Sequence, residues 1–159
     1  MSEAGELERA LLDRAALEAG EDVLVLGGGP LVFGTHERVG DGWVYVVRTQ
    51  VDELEELLAE AHAAGAAGLA YLVGQAPVLP LPDATVSAVL GGLATDEGAL
   101  SAAAGELARV LCEGGRVALA EADGAAGDLL AEALSGAGFG DVKASEVGGG
   151  GVVVTACRG

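Results

Sequence analysis

The sequence predicts an α/β fold: a doubly wound, mostly parallel seven-stranded sheet with an antiparallel C-terminal hairpin strand. Three observations carry that reading. Short apolar runs alternate along the chain with segments of helical period, the pattern of successive βαβ units. The run Val23-Leu24-Val25-Leu26 opens directly into Gly27-Gly28-Gly29, as a buried parallel strand does when it ends in a tight, backbone-exposing turn. The last two apolar runs are separated only by Gly148-Gly149-Gly150-Gly151. That connection is too short for a parallel crossover, so those two strands are antiparallel.

Taken in order, residues 6–19 place Leu7, Leu11, Leu12 and Leu17 among charges and predict an amphipathic helix stopped by Gly20. The first strand is expected over 22–26. Beyond the glycines, Leu31-Val32-Phe33-Gly34-Thr35 is poor helix material, so the first crossover helix is expected to be shortened or melted, with a turn only from Thr35 to Val39. Trp43-Val44-Tyr45-Val46-Val47 is β-branched and aromatic and reads as a second buried strand. Residues 51–64 put Val51, Leu54, Leu57, Leu58 and Ala61 on one helical face, with Gly65 as C-cap. The acids Asp52, Glu53, Glu55 and Glu56 are read as the solvated face of that helix.

A strand over 68–73 leads into a proline-punctuated loop from Gly74 to Pro82, and another strand is expected over 85–90. The Ala-rich run 97–111 is helical, with Asp96 and Glu97 read as its N-cap, and it stops at Cys112-Glu113-Gly114-Gly115. A strand over 116–121, a helix over 124–137 and the hairpin strands 141–147 and 152–157 complete the chain. No internal repeat or disordered linker interrupts it. Residues 1–159 read as one domain, an N-terminal amphipathic helix to residue 20 followed by a core over 21–159.

A length of 159 residues supports a single well-buried core. Apolar residues make up 51% of the chain and aromatics only 3%, so that core is built of Ala, Val and Leu. The charge is one-sided: 25 acids against 8 basic residues, a formal −17, with Lys143 as the one lysine. Repulsion from phosphate argues against nucleic acid and against an anionic membrane as partners. No apolar run approaches the ~18 residues of a membrane span, and the acidic N-terminus lacks a signal core, so a cytoplasmic location is expected. Salt adaptation and a GC-rich genome both account for such a composition. Cys112 and Cys157 lack metal-ligand spacing and read as buried reduced thiols, with no metal site expected. His36 and His62, the only imidazoles, read as surface residues, and no residue is assigned a catalytic role.

Four segments in this order resemble motifs of the class I S-adenosylmethionine-dependent methyltransferase superfamily, in particular its type 11 domains. They are Val23-Leu24-Val25-Leu26-Gly27-Gly28-Gly29-Pro30; Val73-Gly74-Gln75-Ala76 with Leu79-Pro80-Leu81-Pro82-Asp83-Ala84; Leu107-Ala108-Arg109-Val110-Leu111-Cys112-Glu113-Gly114-Gly115-Arg116-Val117; and Ala137-Gly138-Phe139. The resemblance implies a Rossmann-like sheet with S-adenosylmethionine lying across the carboxyl ends of the first strands. It implies Gly27, Gly28, Gly29, Arg48, Gln75 and Ala76 as the cofactor-binding positions. The glycine turn by itself is equally a plain strand-to-helix turn.

The departures from the family pattern decide the functional expectation. By the resemblance, an acid would sit at Val25, another at Arg48 to clasp the ribose hydroxyls, a third at Gln75 facing the adenine amine, and a fourth at Ser87. A guanidinium has no acceptor, so Arg48 cannot replace the ribose-binding carboxylate, whereas the Gln75 amide oxygen still accepts. The expectation is therefore a methyltransferase-like domain with a degraded cofactor site, non-catalytic, that binds a protein partner or a second copy of itself. The alternative is an active methyltransferase with divergent contacts, completed by a partner or a large substrate that supplies the missing lid. A third reading gives Arg48 a phosphate on the ribose, as in dinucleotide folds that accept a 2′-phosphate.

Overall fold

A computed structural model describes residues 3–26, 29–75, 78–93, 97–147 and 151–158. The elements are helix α1 (Glu3–Ala15), strand β1 (Val23–Leu26), α2 (Gly29–Val39), β2 (Val44–Arg48), α3 (Val51–Ala64), β3 (Leu69–Val73), β4 (Val86–Gly91), a 3-10 turn (Glu97–Ala99), α4 (Leu100–Val110), β5 (Leu111–Glu121), α5 (Gly124–Gly136), β6 (Phe139–Glu146) and β7 (Val152–Arg158). The seven strands form one sheet in the order β3-β2-β1-β4-β5-β7-β6. Every pairing from β3 to β5 is parallel, and β7 runs antiparallel to both β5 and β6. This is the doubly wound sheet with a reversed hairpin strand that the sequence predicts.

Two apolar layers clamp the sheet. On one face Leu11, Leu12 and Ala15 of α1, Leu31, Val32 and Val39 of α2, and Leu54 and Leu57 of α3 pack on Val23, Val25, Val44, Val46 and Leu90. On the other, Ala103, Leu107 and Val110 of α4 and Leu130 and Leu134 of α5 pack on Leu24, Val89, Val117 and Leu119. Helices therefore change face between β1 and β4, which is the switch point where open α/β sheets bind ligands.

Several expectations are corrected. The first crossover helix is neither short nor melted: α2 runs eleven residues from Gly29. Leu31, Val32 and Val39 are buried against the sheet, and the fully buried Thr35 bonds its Oγ1–H to the Leu31 carbonyl at 2.8 Å. A Cβ at Gly34 would lie 2.7 Å from Leu12 Cδ1, so the glycine lets α1 seat close against α2. Tertiary burial overrides a weak intrinsic propensity. Trp43 precedes β2 and is half exposed, and Val51 and Leu58 face outward while Leu54, Leu57 and Ala61 are buried. β5 starts five residues earlier than expected. Leu111 pairs with Val86 and Arg116 with Ala88, so Cys112–Gly115 is a bulge within a strand and no separate turn. Neither cysteine is a buried thiol. Cys112 sits half-exposed in that bulge and Cys157 is exposed near the end of β7. His62 is exposed as expected, but His36 is partly buried, with Nδ1 lacking a partner among the described residues. Asp96 lies outside the described residues, and Ala99 stands at the N-cap of α4 with no side-chain cap bond. Gly65 does cap α3, at φ 70°, and Asp123 caps α5 by accepting from the Ala126 N–H at 2.9 Å.

The end of α1 shows how the scarce cations are used. Ala16 leaves the helix at φ 49°. Arg116, entering β5 from the opposite end of the chain, donates to the carbonyls of Ala15 and Ala16, the latter at 2.9 Å. The same guanidinium grips Glu21 bidentately, at 2.6 and 3.1 Å, with both side chains mostly buried. Cationic donors at a helix C-terminus satisfy its orphan carbonyls and complement its dipole. The hydrogen bond from Arg116 holds the Glu21 carboxyl below its usual range.

The sign of the linkage follows. A depressed carboxyl pKa contributes stability that is complete above the unfolded value near 4.5 and is lost as pH falls through the folded value. Glu21→Gln is expected to cost roughly 1.5–3 kcal/mol at pH 7. Thermal melts should show the gap between wild type and variant closing below about pH 4.5.

Candidate functional site

The candidate site is built on the carboxyl ends of the parallel strands. There β1 ends at Leu26, β2 at Arg48, β3 at Val73, β4 at Gly91 and β5 at Glu121. β1 and β4 converge: the Gly92 N–H donates to the Leu26 carbonyl at 2.9 Å. Gly91 sits at φ 127°, and a Cβ there would lie 2.2 Å from the Leu26 oxygen. Only glycine fits that approach. α2 begins at Gly29, two residues beyond the convergence, so its free backbone donors belong to this end of the sheet.

Of the positions implied as cofactor-binding, Gly27, Gly28 and Ala76 lie outside the described residues. Gly29 opens α2. Arg48 closes β2 and is tied to the exit of β3 by the Gly74 N–H, which donates to its carbonyl at 2.9 Å. Its side chain is only 15% exposed, yet its one hydrogen bond runs to the neighbouring Val47 carbonyl, at 3.0 Å. The Glu53 carboxylate stands 3.9 Å away, beyond hydrogen-bonding reach. Burial pulls the Arg48 pKa down from its usual value, with Glu53 opposing weakly. Gln75 is exposed and forms an isolated antiparallel bridge to Val78.

The acid positions separate. Val25 is fully buried one residue before the end of β1, in register with Leu90. Ser87 sits at the opposite end of the sheet, near the start of β4, where its N–H donates to the Asp22 carbonyl at 2.8 Å. It is too far from the carboxyl ends to touch a ligand lying across them, whereas Val25, Arg48 and Gln75 lie at or near that edge.

One residue went unnoticed in the sequence. Glu121 closes β5 at the same carboxyl edge, partly buried, with its pKa raised by burial and further by Asp123. The signal was an acid ending an otherwise apolar strand. In the order β2-β1-β4-β5, three strand spacings put Glu121 roughly 14 Å from Arg48. Among the described residues, no group of three or more His, Cys, Asp or Glu is placed to hold a metal ion.

The segment that returns from β3 to β4 leaves the carboxyl edge at Gly74 and descends to the start of β4 at Val86. No helix supports it over residues 74–75 and 78–85. α4 holds it instead. Arg109 donates to the carbonyls of Leu81 and Leu79 at 2.7 and 3.1 Å and pairs with Asp83 at 3.0 Å. It also clasps Glu106, at 2.8 and 3.0 Å, while Glu106 accepts from the Leu79 N–H at 2.9 Å. The bond from Arg109 lowers the Glu106 pKa, and that from Glu106 raises the Arg109 pKa. Leu79 and Leu81 are thereby held in the core.

No family model and no curated protein matches the chain by sequence. Its fold, however, is widely shared among solved structures. A S-adenosylmethionine-dependent methyltransferase from Aquifex aeolicus superposes with a TM-score of 0.79 at 21% identity, over 96% of this chain and 89% of that one. The complex of the Haloferax volcanii Trm112 methyltransferase activator with a protein described as a methyltransferase gives 0.82 at 16%, over 96% and 88%. SpnF, described as a cyclase, gives 0.82 at 17%, over 98% and 81%. The chain has the fold of the class I S-adenosylmethionine-dependent methyltransferases, as its motifs suggest.

Replacing Arg109 by Met should release the 78–85 segment. We expect faster amide exchange at Leu79 and a loss of roughly 1.5–3 kcal/mol in urea unfolding. Arg109→Lys should restore only part of this, because an ammonium cannot reproduce the fork.

Proposed function

We propose that this is a single methyltransferase-fold domain, a short helical N-terminal segment on a core, that has given up methyl transfer and works in the cytoplasm by binding another protein. The observation that carries the reading is Arg48. Where the fold would present a carboxylate to the ribose diol, this chain presents a half-buried cation with no acceptor atom. S-adenosylmethionine is itself cationic at sulfur, so the substitution removes an attraction and adds a repulsion. Val25 supplies nothing polar, and Gln75 retains only an amide acceptor. Each lost charged hydrogen bond is worth about 1.5–3 kcal/mol, so two lower affinity by a factor on the order of a hundred or more.

Two observations favour a second reading, an active methyltransferase with divergent cofactor contacts. α2 is complete, so its N-terminal amides remain at the cleft. Glu121 offers a carboxyl with a raised pKa at the same edge, suited to accept a proton from a methyl acceptor. The Haloferax volcanii neighbour is a complex with an activator, which gives a precedent in this fold for a protein partner. Under this reading a partner or a bulky substrate would close the site.

Calorimetric titration of the folded protein with S-adenosylmethionine and S-adenosylhomocysteine, at moderate and high salt, separates the readings. We expect no saturation up to millimolar ligand. Arg48→Asp combined with Gln75→Asp should restore measurable affinity, a gain on the order of tenfold or more. Micromolar binding by the wild type would instead establish the second reading. Loss of binding to adenosine 2′-phosphate in Arg48→Asp would mark an anion site.

A further inference from the structure

The two edges of the sheet are built differently. β6 guards one of them. Asp141, Lys143 and Glu146 are exposed along it, Asp141 adopts φ 54°, and its register with β7 shifts between Gly140 and Lys143. Charge and a bulge are the usual means of discouraging a further strand. β3 forms the other edge and has neither. Leu69-Ala70-Tyr71-Leu72-Val73 carries no charge and no proline, and it pairs with β2 residue for residue without a shift. Among the described residues, its outer row of main-chain donors and acceptors faces no neighbouring strand.

Apolar exposure collects beside the same edge. Among the described residues six large apolar side chains are exposed, and four of them are Val51 and Leu58 on α3, Val73 at the end of β3 and Val78 just past it. Charge is one-sided there as well. No lysine or arginine occurs between Arg48 and Arg109. α3, which packs against β3, exposes Asp52, Glu53, Glu55, Glu56 and Glu60.

We propose that β3 is a docking edge for an extended segment of a partner protein, which adds a strand to the sheet and carries lysine or arginine toward α3. The proposal rests on the reading of this domain as a protein-binding module and names its surface and the chemistry of its partner. Main-chain pairing supplies affinity in such strand addition, and the flanking side chains supply selectivity. A second copy of this chain is the poorer occupant. Antiparallel pairing of β3 with its two-fold mate continues the sheet and sets two α3 helices on one face, each with five exposed carboxylates and no Lys or Arg. A basic segment meets the same surface with complementary charge.

The test uses the full chain at low salt and a capped octapeptide of alternating lysine and valine as probe. Amide exchange should show saturable protection of the outward-facing amides within Leu69–Val73, and the alternating glutamate–valine peptide should give none. Val73→Lys and Glu56→Lys, both at exposed positions, should each weaken binding on the order of tenfold, while Asp141→Lys on the opposite edge should not. Equal binding of the two peptides, protection confined to another region, or no protection up to millimolar peptide overturns the proposal. So does sedimentation showing that the edge is occupied by a dimer of this chain without peptide. Titrating S-adenosylmethionine into the same samples keeps the two readings apart. Cofactor binding would unseat the non-catalytic reading, whereas the amide pattern alone judges the edge.

Discussion

The grip of Arg109 on the segment between β3 and β4 is the contact on which that crossover depends. Sheet order requires that segment to pass from one edge of the sheet across β2 and β1 to reach β4. A helix would satisfy its own backbone on the way, but none is present over 78–85. Carbonyls carried over an apolar layer without partners each cost about 1–3 kcal/mol. The planar fork of Arg109 meets two of them, and Glu106 meets an amide, so Leu79 and Leu81 can enter the core between them. Remove that fork and the crossover loses its hold on α4.

Two other arginines are used in the same way. Arg116 closes the end of α1 and Arg158 donates to the Leu111 carbonyl at the start of β5. Arg38 and Lys143, by contrast, pair with the carboxylates of Asp13 and Asp141 at the surface. Arg48 breaks the pattern. Its one carbonyl partner among the described residues belongs to the residue before it, and its link to another element is the long ion pair with Glu53 of α3, at 3.9 Å. A mostly buried cation so weakly partnered is costly, and it stands at the carboxyl edge on which the functional proposal rests.

Most of the sheet was legible because its signals are local. The short apolar runs, the four-glycine connection and Gly65 after α3 each act within a few residues. What was misread depends on distant partners. α2 looks too rich in β-branched residues and glycine to persist, yet Leu12, more than twenty residues earlier, fills the space that Gly34 leaves open. Likewise β5 begins early because β4 lies alongside Leu111, and a Gly-Gly pair that reads as a turn becomes a bulge. The site divides the same way. Arg48 at the end of β2 was singled out through the family resemblance, whereas the distance of Ser87 from the carboxyl edge became plain from the parallel register of β4.

Fold likeness stops short of chemistry here. Structures of the same architecture include proteins described as methyltransferases and one described as a cyclase, so the sheet is a platform and the strand ends decide what it does. The net charge of −17 attracts a cationic cofactor from a distance, which argues for binding if range is ignored. Range is what matters. At an ionic strength near 0.1 M the field of surface carboxylates is screened over about 10 Å, while a charge that touches a ligand away from bulk water acts at much lower effective dielectric. A residue at a strand end therefore weighs more on what binds there than the overall charge does, and under the proposed reading that residue is Arg48 at the end of β2.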